Sequence, residues 1–185
     1  KRNVQLFPNK TSTAYLDRSF TWQESLERIS KIAYSIKKLD ISEGDRVAIL
    51  AHNSDRYFEF LYSVSWAGAV FVPINTRLAP PEIEFWINDS ESKLLFVDKN
   101  FAEIVINLKK ENKISSVKNI VYLSDDTCPD NMVNYDNLIT SETTEDALRG
   151  YDDLAGLFYT GGTTGRSKGV MLSHTNMVVD ALNCA

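Results

Sequence analysis

The sequence predicts an α/β fold built around a parallel β-sheet. From Thr21 to Leu123, short apolar runs rich in branched residues alternate with segments of helical spacing. Parallel strands need a crossover connection, usually a helix, so this alternation indicates a parallel sheet. The apolar runs show no in–out alternation of polar residues, which is typical of strands covered on both faces.

The first predicted helix follows Thr21. Thr21 and Glu24 stand three residues apart, as in a capping box. Apolar residues then recur every three or four positions, which predicts one buried helical face: Trp22, Leu26, Ile29, Ala33 and Ile36.

Four strands and three more helices follow in alternation. Gly44 turns the chain into the first strand, and Asn53 or Ser54 is the predicted cap of the next helix. Pro80 and Pro81 favour a helix start, because proline suits the first helical turn. The predicted strands are residues 46–50, 69–74, 93–97 and 119–123, and the later helices are 80–89 and 101–110.

The character of the chain changes at Ser124. Residues 124–153 are acidic and polar, with one weak helical pattern at 135–139, and we expect a surface connection between one sheet and the start of another. A long functional loop is the open alternative. Two strands, 154–160 and 169–173, precede a helix capped by Ser173 or Thr175. The predicted organisation is a first α/β sheet subdomain (1–123), a polar connection (124–153) and the start of a second subdomain (154–185).

Composition excludes several classes of function. The net charge of −5, with no dense lysine–arginine cluster, argues against a nucleic-acid partner. The two cysteines form no metal spacing or disulfide framework, which indicates a reducing compartment such as the cytoplasm. The longest uncharged run, residues 60–76, is interrupted by polar residues, and a membrane span needs about 20 mostly apolar ones. The sequence does not begin with methionine, so we expect a piece of a longer chain.

The stretch "YTGGTTGRSKGVMLSH" (159–174) concentrates glycines, hydroxyls and one lysine between two strands. Glycines permit close backbone approach and let successive N–H groups turn inward around an anion. Hydroxyl donors and Lys168 add to a set that suits phosphate oxygens. A flexible hairpin connection has the same composition, so the residues alone leave both interpretations open.

A Walker A loop does not fit this stretch. That motif needs Gly-Lys followed by Ser or Thr. Here Arg166 and Ser167 separate Gly165 from Lys168, and Gly169 stands where the hydroxyl that binds magnesium would be. The stretch also runs from strand to strand, rather than from strand to helix.

The stretch closely resembles the phosphate-binding signature of the adenylate-forming superfamily, which includes acyl-CoA synthetases, luciferases and peptide-synthetase adenylation domains. Gly161 replaces the usual serine and Ser167 the usual proline. The resemblance extends through "RSFTWQESLERI". The stretches "WAGAVFVPINTRL" and "PPEIEFWINDSESKLLFVD" are most similar to acyl- and fatty-acyl-CoA ligases. The matching signature residues are Thr160, Gly162, Thr163, Thr164, Gly165, Lys168, Gly169 and Val170.

The resemblance implies the layered parallel-sheet N-terminal domain of the adenylate-forming fold, truncated here. It implies activation of a carboxylic acid, fatty or aryl, by ATP with Mg²⁺, followed by thioester formation with coenzyme A. Lys168 and Thr164 would be catalytic, and no residue present is assigned to metal. The implied nucleotide-binding residues are Thr160, Gly161, Gly162, Thr163, Thr164, Gly165 and Lys168.

Two alternatives stay open at this point. One is an adenylation domain that loads a carrier-protein thiol, and the other is a catalytically silent module that binds nucleotide or a partner. The family's adenine, ribose and C-terminal lysine motifs would lie beyond Ala185, so we expect this chain alone to be inactive and prone to self-association. His174 is interpreted as a helix-entry residue without a chemical role, and His52, Asn53 and Ser54 as residues of a strand-to-helix turn.

Overall fold

The computed structural model describes residues 1–161 and 166–184. Its strands are β1 Thr11–Tyr15, β2 Arg18–Thr21, β3 Arg46–Leu50, β4 Val70–Pro73, β5 Leu94–Val97, β6 Asn119–Tyr122, β7 Val133–Asn134, β8 Leu154–Thr160 and β9 Lys168–Ser173. Its helices are α1 Arg2–Leu6, α2 Trp22–Lys38, α3 Asp55–Trp66, α4 Pro80–Asp89, α5 Ala102–Lys110 and α6 His174–Asn183, with a 3₁₀ turn at Tyr135–Leu138.

Seven strands form one sheet in the order β7-β6-β5-β3-β4-β8-β9. Neighbouring strands pair in parallel from β7 to β8, and β9 returns antiparallel to β8. A separate antiparallel hairpin joins β1 to β2. The predicted α/β class with a mainly parallel sheet is confirmed.

The sheet is buried on both faces, as its unbroken apolar strands predict. Helices α2 and α3 cover one face with Ile36 and Phe60, which pack with Val47 and Ile49 of β3. Helices α4 and α5 cover the other face, on which Ala48 and Leu50 of the same strand lie. Because neither face of β3 meets water from Val47 to Leu50, the side chains on both faces are apolar there. Within the described residues, no helix has the length and apolar character needed to cross a bilayer.

Helices α2, α3 and α6 begin at side-chain caps that the sequence predicts. In the capping box of α2, the Thr21 N–H donates to Glu24 Oε2 at 2.8 Å, and the Glu24 N–H donates to Thr21 Oγ1 at 3.2 Å. Ser54, rather than Asn53, caps α3 by accepting the Tyr57 N–H at 3.2 Å. Ser173 caps α6 in the same way. Each cap pairs an N–H group that the helix itself leaves without a partner.

The segment 124–153 is more than a surface connection, and that expectation is wrong for its middle part. Val133 and Asn134 extend the sheet by pairing with β6. The 3₁₀ turn that follows buries Tyr135 completely and Leu138 to 3% exposure. These apolar side chains fill the space beside α2, so a short part of a polar segment belongs to the core.

The strands after residue 153 continue the first sheet instead of starting another, which corrects the second part of that expectation. β8 joins β4 in parallel, with Gly156 opposite Phe71. A Cβ built on Gly156 would lie 2.6 Å from Phe71 Cε2 and 2.9 Å from Phe158 Cε2, so glycine is what allows the two strands to meet. The division into subdomains at residues 123 and 153 stays a prediction.

A buried network of charges ties the 3₁₀ turn to α2 and α3. Glu59 is 1% exposed and accepts hydrogen bonds from Arg28 Nη2 at 3.0 Å and from the Tyr135 hydroxyl. Burial, followed by the nearby Glu59 charge, raises the pKa of Tyr135, so its hydroxyl keeps its proton. Arg56 is 5% exposed and binds the Leu123 carbonyl. The network pairs buried charges that would each be costly alone.

Substitution of Glu59 tests this network. Glu59→Ala leaves the Arg28 guanidinium and the Tyr135 hydroxyl without their partner, so we expect the free energy of unfolding to fall by about 3–5 kcal/mol. Glu27→Ala is the matched control, because Glu27 is an exposed carboxylate paired with Lys31 at 2.6 Å, and it should cost less than about 1 kcal/mol. Urea unfolding of the three proteins measures both changes, and equal losses would contradict the account.

Substitution of Gly156 tests the junction between β4 and β8. Gly156→Ala places a methyl group against the Phe71 ring, and such overpacking costs about 1–3 kcal/mol. Amide hydrogen exchange should accelerate in β8 and β9 while β3 and β5 keep their protection. Gly150→Ala is the control, since a Cβ there meets nothing within 4 Å. Unchanged exchange in β8 of Gly156→Ala would show that the glycine is not required.

Candidate active site

The ends of the glycine–threonine stretch lie at the carboxyl edge of the sheet. β8 runs parallel to β4, so Thr160 is at the edge where parallel strands end and where ligand sites form in α/β sheets. Lys168 begins the return strand and is the register partner of Thr160. The hairpin therefore brings a hydroxyl and an ammonium group to the two ends of one loop.

The structure places three of the sequence-predicted site residues. Thr160, Gly161 and Lys168 are all exposed, and a Cβ added to Gly161 would meet nothing within 4 Å. The other four lie outside the described residues, so their roles stay predictions: Gly162, Thr163, Thr164 and Gly165.

The two basic side chains near the loop have different surroundings. Lys168 forms no ion pair with a carboxylate of residues 1–161 or 166–184, so its charge is open to an anion. Arg166 lies over the Phe85 ring of α4, with the guanidinium carbon 5.5 Å from the ring centroid. A cation over an aromatic face is attracted by the ring. Lys168 is thus the better candidate for contact with phosphate.

A cleft of about 370 Å³ lies beside the hairpin. The residues that follow β3 and β4 form its walls, together with Phe158 and Tyr159 of β8. Within the described residues, its lining contains no Asp, Glu, Lys or Arg. The lining residues after the two strands are Ala51, His52, Asn53, Ile74, Asn75 and Thr76. A cleft of mixed polar and apolar lining, without carboxylate, lysine or arginine side chains, therefore lies next to the glycine-rich loop.

Tyr159 connects the loop end of β8 to α4. Its ring stacks on Trp86, with centroids 4.8 Å apart and planes at 20°, and its hydroxyl donates to Asp89 Oδ2 at 2.6 Å. Burial, followed by this hydrogen bond, raises the pKa of Tyr159 well above its usual range. The phenol is therefore a proton donor throughout the physiological range and does not act as a base.

A second cleft, of about 480 Å³, lies on the other side of His52, between β3, β5 and β6. The backbone N–H of His52 donates to Asp98 Oδ2 at 2.8 Å, and the centroid of the His52 ring lies 5.3 Å from that of the Phe101 ring. These contacts agree with the interpretation of residues 52–54 as a strand-to-helix turn. His174 likewise begins α6, donates its backbone N–H to the Asp153 carbonyl at 3.0 Å, and has its pKa lowered by burial.

No cluster of three or more His, Cys, Asp or Glu side chains among the described residues is arranged to hold a metal ion. Mg²⁺ stays an expectation from the family resemblance, with no residue of this chain assigned to it.

Sequence reasoning missed several residues of the site. Asn75 and Thr76 line the cleft, and a signal for them existed: they directly follow a predicted parallel strand, at the edge where such strands converge. The sequence carried no such signal for a role of Trp86 and Asp89 at the site. Their spacing of three marks one helix face, and only the packing of α4 against β8 shows that this face meets Tyr159.

The chain is similar to known ligases over nearly all of its length. A feruloyl-CoA synthase from Amycolatopsis is 32% identical over 182 residues, which are 98% of this chain and 34% of that protein. The peroxisomal butyrate–CoA ligase AAE11 from Arabidopsis thaliana is 34% identical over an alignment of 197 residues, which covers 99% of this chain and 34% of that protein. The chain thus spans about a third of the length of these curated relatives.

A solved structure shows the same fold. The anthranilate CoA ligase AuaEII, determined with anthranoyl-AMP, has a TM-score of 0.91 over 98% of this chain and 35% of that chain. Its identity of 24% supports similarity of fold alone. Residues 1–185 also match the family described as AMP-binding enzyme. Because this match covers the whole chain and agrees with both the fold and the loop signature, the chain belongs to the AMP-binding enzyme family.

Proposed function

We propose that this chain supplies the phosphate-binding part of an ATP-dependent ligase that activates a carboxylic acid as an acyl-adenylate and then forms a thioester with coenzyme A. The observation that carries the proposal is the hairpin geometry, in which Thr160 and Lys168 face each other at the ends of a glycine-rich loop. The relatives' names support a fatty or aryl acid as the substrate class.

The proposed chemistry needs positioning and charge balance from this chain. A carboxylate oxygen attacks the α-phosphorus of ATP, the bond to the β-phosphate oxygen breaks, and pyrophosphate leaves with the electron pair. Negative charge therefore grows on the leaving group, where the Lys168 ammonium and loop donors, Thr164 among them, would oppose it. The uncharged cleft beside Tyr159 would hold an organic part of a substrate.

Products distinguish this proposal from an ordinary nucleotide hydrolase. In a protein that carries this chain together with the remaining length of its relatives, ATP consumption should depend on a carboxylic acid. It should yield AMP and pyrophosphate, because attack occurs at the α-phosphorus. Chromatography of the nucleotide products measures this, and ADP with inorganic phosphate would contradict the proposal.

Lys168→Ala tests the role of the charged loop in the same protein. Removal of one group that stabilises developing negative charge should lower kcat on the order of 100-fold. Lys118→Ala is the matched control, since Lys118 is an exposed lysine that lies before β6, away from the loop. A pyrophosphate-exchange rate in Lys168→Ala equal to that of the control would show that the loop is only a turn.

Self-association and location complete the proposal. β9 is the last strand of the sheet among the described residues, with Met171 68% exposed, and α6 exposes Leu182 to 72%. An open strand edge beside apolar side chains favours pairing with another copy. Met171→Lys should therefore reduce the sedimentation coefficient that the chain shows at high concentration.

Cys128 and Cys184 are both free thiols, which supports a reducing, cytoplasmic location.

A further inference from the structure

Among the described residues, the hairpin that carries the loop has one register pair with the rest of the sheet. The hairpin joins the sheet where Gly156 meets Phe71, three residues before Tyr159. Beyond that point, β8 and β9 pair with each other up to Thr160 and Lys168. The position of Thr160 and Lys168 therefore depends on side-chain contacts of the hairpin beyond Gly156.

Helix α4 makes such contacts with the hairpin beyond Gly156. Three of its residues, which we call the α4 platform, contact the hairpin and the loop: Phe85, Trp86 and Asp89. Trp86 stacks on Tyr159, Asp89 accepts the Tyr159 hydroxyl, and Phe85 lies under Arg166. The platform therefore touches residues on both sides of the loop.

Tyr159 transmits this support to the return strand as well. Its register partner is Gly169, the residue that follows Lys168. A Cβ on Gly169 would lie 3.3 Å from Tyr159 Cζ, so the absence of a side chain lets the phenol lie across β9. One ring thus packs between Trp86 on α4 and the backbone beside Lys168.

The position of Asp89 argues against a role in helix stability. Asp89 is the last residue of α4 and is exposed. A carboxylate at a helix C-terminus is unfavourable with the helix dipole. The hydrogen bond that it accepts from the Tyr159 hydroxyl is the favourable interaction of the carboxylate at this position.

We propose that Asp89 and Trp86 are positioning residues, which hold Tyr159 and through it fix Thr160 and Lys168 for contact with phosphate. The inference rests on the proposed phosphate-binding role of the loop. Neither residue touches the reacting atoms in this account, and each acts through the Tyr159 ring.

A double-mutant cycle on the 185-residue chain tests the proposal, with inorganic pyrophosphate as the probe. Tyr159→Phe and Asp89→Ala should each weaken binding by about 5-fold, which is the net value of one hydrogen bond expressed as a ratio. The double variant should bind no more weakly than either single variant, because both remove the same bond. Asp89→Asn keeps an acceptor oxygen and should restore binding to within about 2-fold of the original chain.

Two further measurements separate positioning from stability. Amide exchange at residues 168–170 should accelerate in Tyr159→Phe and Asp89→Ala, while the thermal midpoint of Asp89→Ala should not fall. Tyr122→Phe is the matched control, because Tyr122, at the end of β6, likewise donates to a carboxylate, Asp126 Oδ1, at 2.6 Å. It should leave both binding and exchange at 168–170 unchanged.

Different results would contradict the positioning role and the proposed function of the loop. Unchanged exchange at residues 168–170, or faster exchange with unchanged pyrophosphate affinity, would overturn the positioning role. Additive losses in the double variant would do the same. A failure of the original chain to bind pyrophosphate at all would overturn the proposed function of the loop, and with it this role.

Discussion

The contact between Gly156 and Phe71 is the constraint on which the candidate site depends. It is where β8, and therefore the loop, joins the parallel sheet, and there is no room for a Cβ at that point. Phe71 and Phe158 then meet edge to face, with centroids 5.7 Å apart, which directs β8 along the sheet. The carboxyl end of β8 consequently reaches the edge where β3 and β4 also end.

The core beneath this edge combines apolar layers with a few buried charges. The sheet is covered by two helices on each face, and its strands need no polar side. The exception is the network around Glu59 and Arg56, which binds α2, α3 and the 3₁₀ turn together. Such pairs add little net stability, but loss of one partner is costly. They restrict how the segment after β6 packs, and so keep that side of the carboxyl edge in place.

Much of the fold follows from local patterns in the sequence. The capping box at Thr21 and the unbroken apolar runs are local signals, and the structure confirms them. The pairing of β8 with β4 is not local, since it depends on a glycine and a phenylalanine separated by about 85 residues. The burial of Tyr135 in an acidic segment, and the hairpin of β1 and β2, also lacked a periodic signal. In the site, the signature predicted Thr160 and Lys168, whereas the contact of Tyr159 with α4 depends on packing between distant elements.

The central claim is that the loop between β8 and β9 binds phosphate, and a backbone NMR titration tests it most directly. Addition of inorganic pyrophosphate to the ¹⁵N-labelled chain should shift the amide signals of Thr160, Gly161, Lys168 and the residues between them. The signals of Lys99 and Asn100, at the second cleft, should stay in place. Shifts centred on the second cleft, or spread over surface lysines without a maximum at the loop, would contradict the account.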